Sequence, residues 1–90
     1  MSKKLPVSGY VPFFNNAATV VAAVDSLRRQ EPPLGEVFAV DDGSTDQGAE
    51  LLETAGVRVV RHPENLGRGA ARCRAMAEAC HEYVLCCDAT

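Results

Sequence analysis

Asp41 and Asp42 stand side by side in "VDDGSTDQG" (Val40–Gly48), after an apolar run and before a turn-rich stretch. Paired carboxylates in such a place can cap a turn, accept hydrogen bonds from a ligand, or hold a cation. Capping one turn needs one carboxylate, so Asp41 reads as the turn residue and Asp42 as the ligand-facing one. Three other stretches carry groups of the same kind. "VPFFNN" offers the ring of Phe14 beside Asn15, and "CCDAT" offers the carboxylate of Asp88. "NLGRGAAR" sets Arg68 between Gly67 and Gly69, where bare backbone allows close approach. That loop lacks the spacing of a dinucleotide or P-loop fingerprint. His62, before Pro63, reads as a loop residue without a chemical role; Phe13 reads as core; and Arg72 and Arg74 read as a solvated helix face.

These groups need a scaffold, and the chain alternates between two periods. "LPVSGYV" (Leu5–Val11) reads as a strand stopped by Pro12, which has no N–H for a ladder. "NNAATVVAAVDSLRRQ" reads as a helix capped by Asn15 or Asn16. Its face is Ala17, Val20, Val21, Val24 and Leu27, and Arg28 and Arg29 lie near its end. "EVFAVDD" is a second strand. "STDQGAELLETAG" is a helix with Ser44 and Gln47 as a capping box and Gly56 as its stop. "VRVVRH" is a third strand. "NLGRGAARCRAMAEACH" is a helix with Leu66, Ala70, Cys73, Ala77 and Cys80 in one stripe, and "EYVLCCD" is a fourth strand. The pattern βαβαβαβ predicts one α/β domain, an open parallel sheet with helices on both faces. The nearly continuous apolar runs "VFAV" and "YVLCC" are expected to be covered on both sides. In such a sheet every strand ends at one rim, where ligands bind. Pro12–Phe14, Asp41–Asp42, Arg61–His62 and Asp88 should therefore meet.

Bulk properties narrow the function. A net charge of −3 gives no basic face for nucleic acid. No apolar run approaches the ~18 residues of a membrane span, and "MSKKLPVSG" is not a secretory leader. Cys73, Cys80, Cys86 and Cys87 form no CxxC pair and read as small buried hydrophobes in a reducing compartment, which fits a cytoplasmic protein.

"VSGYVPFFNN", "VDDGSTD", "NLGRGAAR" and "EYVLCCDA" occur in the order and spacing of family 2 glycosyltransferases with the GT-A fold, and this resemblance covers nearly the whole chain. It implies that residues 1–90 are the Rossmann-like, N-terminal nucleotide-binding half of a longer transferase, truncated before the acceptor half. It also implies a donor that is a nucleoside diphosphate sugar, with uracil the usual base. By resemblance, Asp42 would meet the base through its N3–H and Phe14 would pack on it, where the family usually has Tyr. Pro12 and Asn15 belong to the same motif, with Pro12 meeting base or ribose. Gly67 and Arg68 would lie near the phosphates. Asp88 matches the first carboxylate of the family's D-x-D motif, which holds Mg²⁺ or Mn²⁺; Thr90 stands where the second Asp usually does.

The general base that family members use should lie beyond Thr90, so no catalytic residue is expected within the chain, which alone should not transfer sugar. The acceptor, whether saccharide, lipid or protein, is open. A sheet edge left exposed where the missing half would pack should favour self-association. A non-catalytic nucleotide-binding or regulatory module of the same fold is the alternative reading. A receiver-like or flavodoxin-like domain would fit the topology but leave the motifs unexplained.

Overall fold

Side-chain alternation in two central strands sets the architecture. Val11 and Phe13 point to one side of the sheet and Tyr10 to the other; on the neighbouring strand Ala39 goes with the first set, and Phe38 and Val40 with the second. Both sides are buried, so helices must cover both. The computed structural model describes residues 4–89. The reading of the first residues as lacking a leader and the place of Thr90 in a metal motif lie outside them. The elements are β1 (Leu5–Phe13), α1 (Ala17–Arg28), β2 (Leu34–Asp41), α2 (Gly48–Thr54), β3 (Arg58–Arg61), α3 (Arg68–Glu78) and β4 (Tyr83–Cys86).

All strand pairs are parallel, and the order is β3-β2-β1-β4. The chain steps outward from β1 to β3 and then returns past β1 to β4. Right-handed crossovers put helices on opposite faces when the direction of travel reverses. Accordingly, α1 and α2 pack on the face of Val11, Phe13 and Ala39, through Val20, Val24, Leu27, Ala49 and Leu52. The other face takes α3 alone, through Ala71 and Ala75 against Tyr10, Phe38, Val40 and Val60. The open α/β sheet expected from the sequence is the observed fold.

Several local expectations give way. Pro12 does not end β1, which runs one residue further. Tyr10 accepts from Cys87 N at 3.0 Å, so alternate residues of β1 address β4, and the β1–β4 ladder stops at Tyr10. The missing N–H of Pro12 thus falls on a side where no strand asks for it. No side chain of Asn16 caps α1; Asp46 Oδ2 accepts from Ala17 N at 3.0 Å instead. The Ser44–Gln47 box does not form, because Ser44 Oγ accepts from Asn15 N and α2 starts only at Gly48. Gly56 ends α2 at φ 82°, as its type predicts.

The expected stripe on α3 is also displaced. Cys73 and Ala77 are exposed and Leu66 precedes the helix, while Ala71 and Ala75 are buried. The residues that α3 sets against the sheet are therefore small ones. The cysteines are not buried hydrophobes: Cys73, Cys80 and Cys86 are exposed and Cys87 is half-buried. β4 is a sheet edge rather than a covered strand, with Tyr83 65% and Leu85 42% exposed.

Leu52 is fully buried, whereas Leu51 beside it is 46% exposed. Leu52→Ala should lower the unfolding free energy by about 2–5 kcal/mol in urea titration. Leu51→Ala should change it by less than about 0.5 kcal/mol. Equal effects would mean that α2 does not pack through this face.

Candidate functional site

β2 and β3 run in register with Val40 opposite Val60 and Asp41 opposite Arg61. Val40 and Val60 face α3, so two residues on, Asp42 and His62 must face the same way. That brings them side by side at the start of α3. His62 N donates to Asp41 O at 2.8 Å, continuing the pairing beyond β3, and Asp42 N donates to Phe13 O at 2.9 Å, tying the same turn to β1.

The Asp42 carboxylate is buried and accepts three hydrogen bonds. Oδ1 takes His62 Nδ1 and Leu66 N, each at 2.9 Å, and Oδ2 takes Gly67 N at 2.9 Å. An ionised carboxylate only accepts, so His62 carries its proton on Nδ1. Burial pushes the Asp42 carboxyl up, but the bonds from His62 and the two amides require the anion and outweigh it. The group is held below the ordinary carboxylate value. A carboxylate offers about four lone-pair sites, so one direction on Oδ2 remains open. Gly43 allows this closure. It has φ 79°, and a Cβ there would stand 2.5 Å from Asn65 N, inside contact with the β3–α3 loop.

Asp41 has different work. Its Oδ1 accepts from Ser44 N at 2.8 Å, which closes the turn after β2. That turn is locked to the one after β1. Asn15, at φ 54°, donates from its backbone to Ser44 Oγ at 2.9 Å, and its Oδ1 accepts from Thr45 N at 2.8 Å. Asp46 bridges Ala17 N and Gly48 N, each at 3.0 Å, so one side chain serves the starts of both α1 and α2. The interlocked loops fix Phe14, which stays 42% exposed although Phe13 beside it is buried.

The far wall comes from β4. Cys87 N bonds Tyr10 O at 3.0 Å, Thr19 Oγ1 donates to Ala89 O, and Ala89 is buried in the core. Asp88, exposed between these anchors, is held at the rim. Arg68 is the first residue of α3, after Gly67 at φ 97°. No acid lies in the first turn of α3, so the helix dipole and Arg68 add in one direction.

Together these groups line an open cleft of about 300 Å³ at the ends of β1, β2 and β4, beside the point where strand order reverses. Of the residues singled out in the sequence, Pro12, Phe14, Asp42, Gly67, Arg68 and Asp88 line it. Asn15 and Asp41 do not line it; they belong to the loop lock behind it. Asn16 and Asn65 line it without having been singled out. His62 was read as idle and is instead the side chain bonded to Asp42. Its position opposite Asp42 at adjacent strand ends was the available signal. Arg68 also borders a second groove, shared with Arg72 and Tyr10, between α3 and β4. Among the described residues, no group of three or more His, Cys, Asp or Glu could hold a metal ion by itself, and no helix is long and apolar enough to cross a membrane.

The pole opposite the cleft carries a second, half-buried acceptor. Glu36 accepts from Ser8 Oγ at 2.7 Å, Cys80 N at 3.0 Å and Arg58 at 3.2 Å. Burial pushes its carboxyl up, but these donors outweigh it and the group lies below its ordinary value. For Asp42 and Glu36 the sign is the same. The unfolded state binds more protons in the acid range, so both add stability above an unfolded pKa near ~4. That contribution is lost as pH falls through the lower folded values. Urea unfolding from pH 6 downward should show stability declining from about pH 5, and the decline should be shallower in both Asp42→Asn and Glu36→Gln. An undiminished slope in Asp42→Asn would show that its carboxylate is not held down.

Comparison with known proteins places this geometry. The family model described as "Glycosyl transferase family 2" matches residues 8–89. The chain is 40% identical over 67 residues to the succinoglycan biosynthesis protein ExoU of Rhizobium meliloti, covering 69% of the chain and 20% of that protein. It is 32% identical over 89 residues to the cholesterol galactosyltransferase of Borreliella burgdorferi, covering 94% of the chain and 25% of that protein. Among solved structures, TarS of S. aureus superposes with a TM-score of 0.82 at 31% identity, over 94% of this chain and 27% of that one. Glucosyl-3-phosphoglycerate synthase of Mycobacterium tuberculosis, solved with Mn²⁺, UDP and glucosyl-3-phosphoglycerate, superposes with a TM-score of 0.78 at 28% identity, over 92% and 33%. The chain thus spans a fifth to a third of the length of these relatives. With its open sheet, its cleft at the strand ends and a family match over nearly all of its length, the chain belongs to glycosyl transferase family 2.

Proposed function

We propose that residues 1–90 are the donor-binding part of a larger glycosyltransferase, and that the cleft takes the nucleoside diphosphate of a UDP-linked sugar. The observation that carries this is the joint placement in one cleft of a buried anionic acceptor, an exposed ring, a cationic helix start and a rim carboxylate: Asp42, Phe14, Arg68 and Asp88. Each matches a different part of such a donor. Asp42, held ionised, accepts from the N3–H of uracil through its open Oδ2 direction. Phe14 offers a flat apolar face to the base. Arg68 and the α3 amides favour the diphosphate. The mycobacterial synthase, similar over 92% of this chain, was solved with UDP-glucose and Mn²⁺, which supports the choice of base.

A divalent cation fits this cleft as a shared ligand, since such ions bind through one or two carboxylates plus substrate phosphates. Asp88 is the side chain that would hold it, and the ion would supply charge compensation for the departing nucleoside diphosphate. In the full reaction an acceptor hydroxyl attacks the anomeric carbon while the bond to the diphosphate breaks. Here the chain's own part is to bind and orient the donor and to stabilise the leaving group. The base that takes the hydroxyl proton, and the acceptor itself, belong to parts of the enzyme beyond these residues.

Calorimetric titration tests the reading. UDP should bind more tightly than ADP or GDP, and Mn²⁺ should strengthen it in the unmodified protein but not in Asp88→Asn. Loss of one charge-assisted bond is worth about 1.5–3 kcal/mol, so Asp42→Asn should weaken UDP binding by about tenfold or more. UDP affinity unchanged in Asp42→Asn would remove this residue from the base site.

A further inference from the structure

We propose that His62 is a positioning residue for base recognition: it fixes the Asp42 carboxylate so that its open Oδ2 direction meets a donor N–H, making the cleft selective for uridine over cytidine nucleotides. The inference rests on the donor-site reading above and adds to it the group that sets the base preference.

His62 does not line the cleft, so it acts through Asp42. Its side chain is 4% exposed and that of Asp42 9%, so water does not replace either partner readily. The backbone that carries the imidazole is pinned, because His62 N is bonded to Asp41 O just beyond β3. A carboxylate turns easily about its terminal torsion, whose wells are broad. Three donors stop it: two amides from one loop, and His62 from a different strand. The amides of Leu66 and Gly67, one on each oxygen, are neighbours in sequence and come from a single loop. His62 supplies the second, independent anchor. With Nδ1–H in place, Oδ1 is saturated and only Oδ2 can accept from a ligand. Uracil presents N3–H to such an acceptor. Cytosine presents a bare N3, which would face a fixed anion without a proton between them, and leave a buried acceptor unmatched. Without His62 the carboxylate can rotate and this distinction should fade.

Binding of UDP and CDP to the protein and to two variants decides it. His62→Asn places an amide N–H where Nδ1 stands, and His62→Leu fills the space with no donor. The preference for UDP over CDP should shrink about tenfold in His62→Leu, the equivalent of ~1.4 kcal/mol. In His62→Asn it should stay within about threefold of the unmodified protein. A merely structural role would weaken both nucleotides in parallel and leave their ratio alone; that result, or an unmoved ratio with unmoved affinities, overturns the proposal. An asparagine variant as impaired in ratio as the leucine one overturns it as well. Were the leucine variant not to fold by circular dichroism, His62→Ala carries the same comparison. If the unmodified protein shows no preference for UDP over CDP, the donor-site reading fails first and this inference with it. If the preference is present and His62→Leu keeps it, this inference alone fails.

Discussion

The Asp42 carboxylate accepts from His62, Leu66 and Gly67 where solvent barely reaches it, and three parts of the molecule take their relative positions from those bonds. The end of β2, the end of β3 and the entry to α3 all close on one anion. Burying an unpaired charge would be costly, so the arrangement holds only because its donors are complete. The same donors that make the charge tolerable also make it rigid.

The distribution of helices follows from the strand order and shapes the cleft. α1 and α2 share one face, and their starts are joined through Asp46, so the loops after β1 and β2 behave as one unit. α3 has the other face to itself and packs on the sheet through Ala71 and Ala75. Its first turn is thereby brought level with the strand ends, which is where Gly67 and Arg68 must be if they are to face a ligand. Gly43 completes the fit by letting the β2–α2 turn touch the β3–α3 loop.

Much of this could be read from residue types. The alternation of periods gives the sheet, and the clustering of Pro12, Phe14, Asp42, Gly67, Arg68 and Asp88 follows once parallel strands are assumed. What could not be read depends on distant partners. Asp46 caps a helix roughly a third of the chain away, and Asn15 gives up its expected cap to bind Ser44 and Thr45. Such pairings leave no local trace, because the same residues would suit a local turn equally well. The α3 stripe was misjudged for a related reason. Apolar character marks Cys73 and Leu66, but the face turned to the sheet carries Ala71 and Ala75. Edge and centre are likewise indistinguishable in "YVLCC" until the strand order is known, and that order leaves Tyr83 and Leu85 in the open.

The bond from Ala17 to Asp46 has a bearing on how the chain reaches its native state. A helix of 12 residues is marginal on its own, and the acceptor for this first-turn amide sits 29 positions later. The start of α1 therefore remains unfinished until β2 has paired with β1 and carried the following loop into place. Secondary structure in the first third of the chain is conditional on a contact from the middle third. Such coupling ties the two halves of the βαβ unit into one cooperative step, and it raises the sequence separation that folding must bridge early.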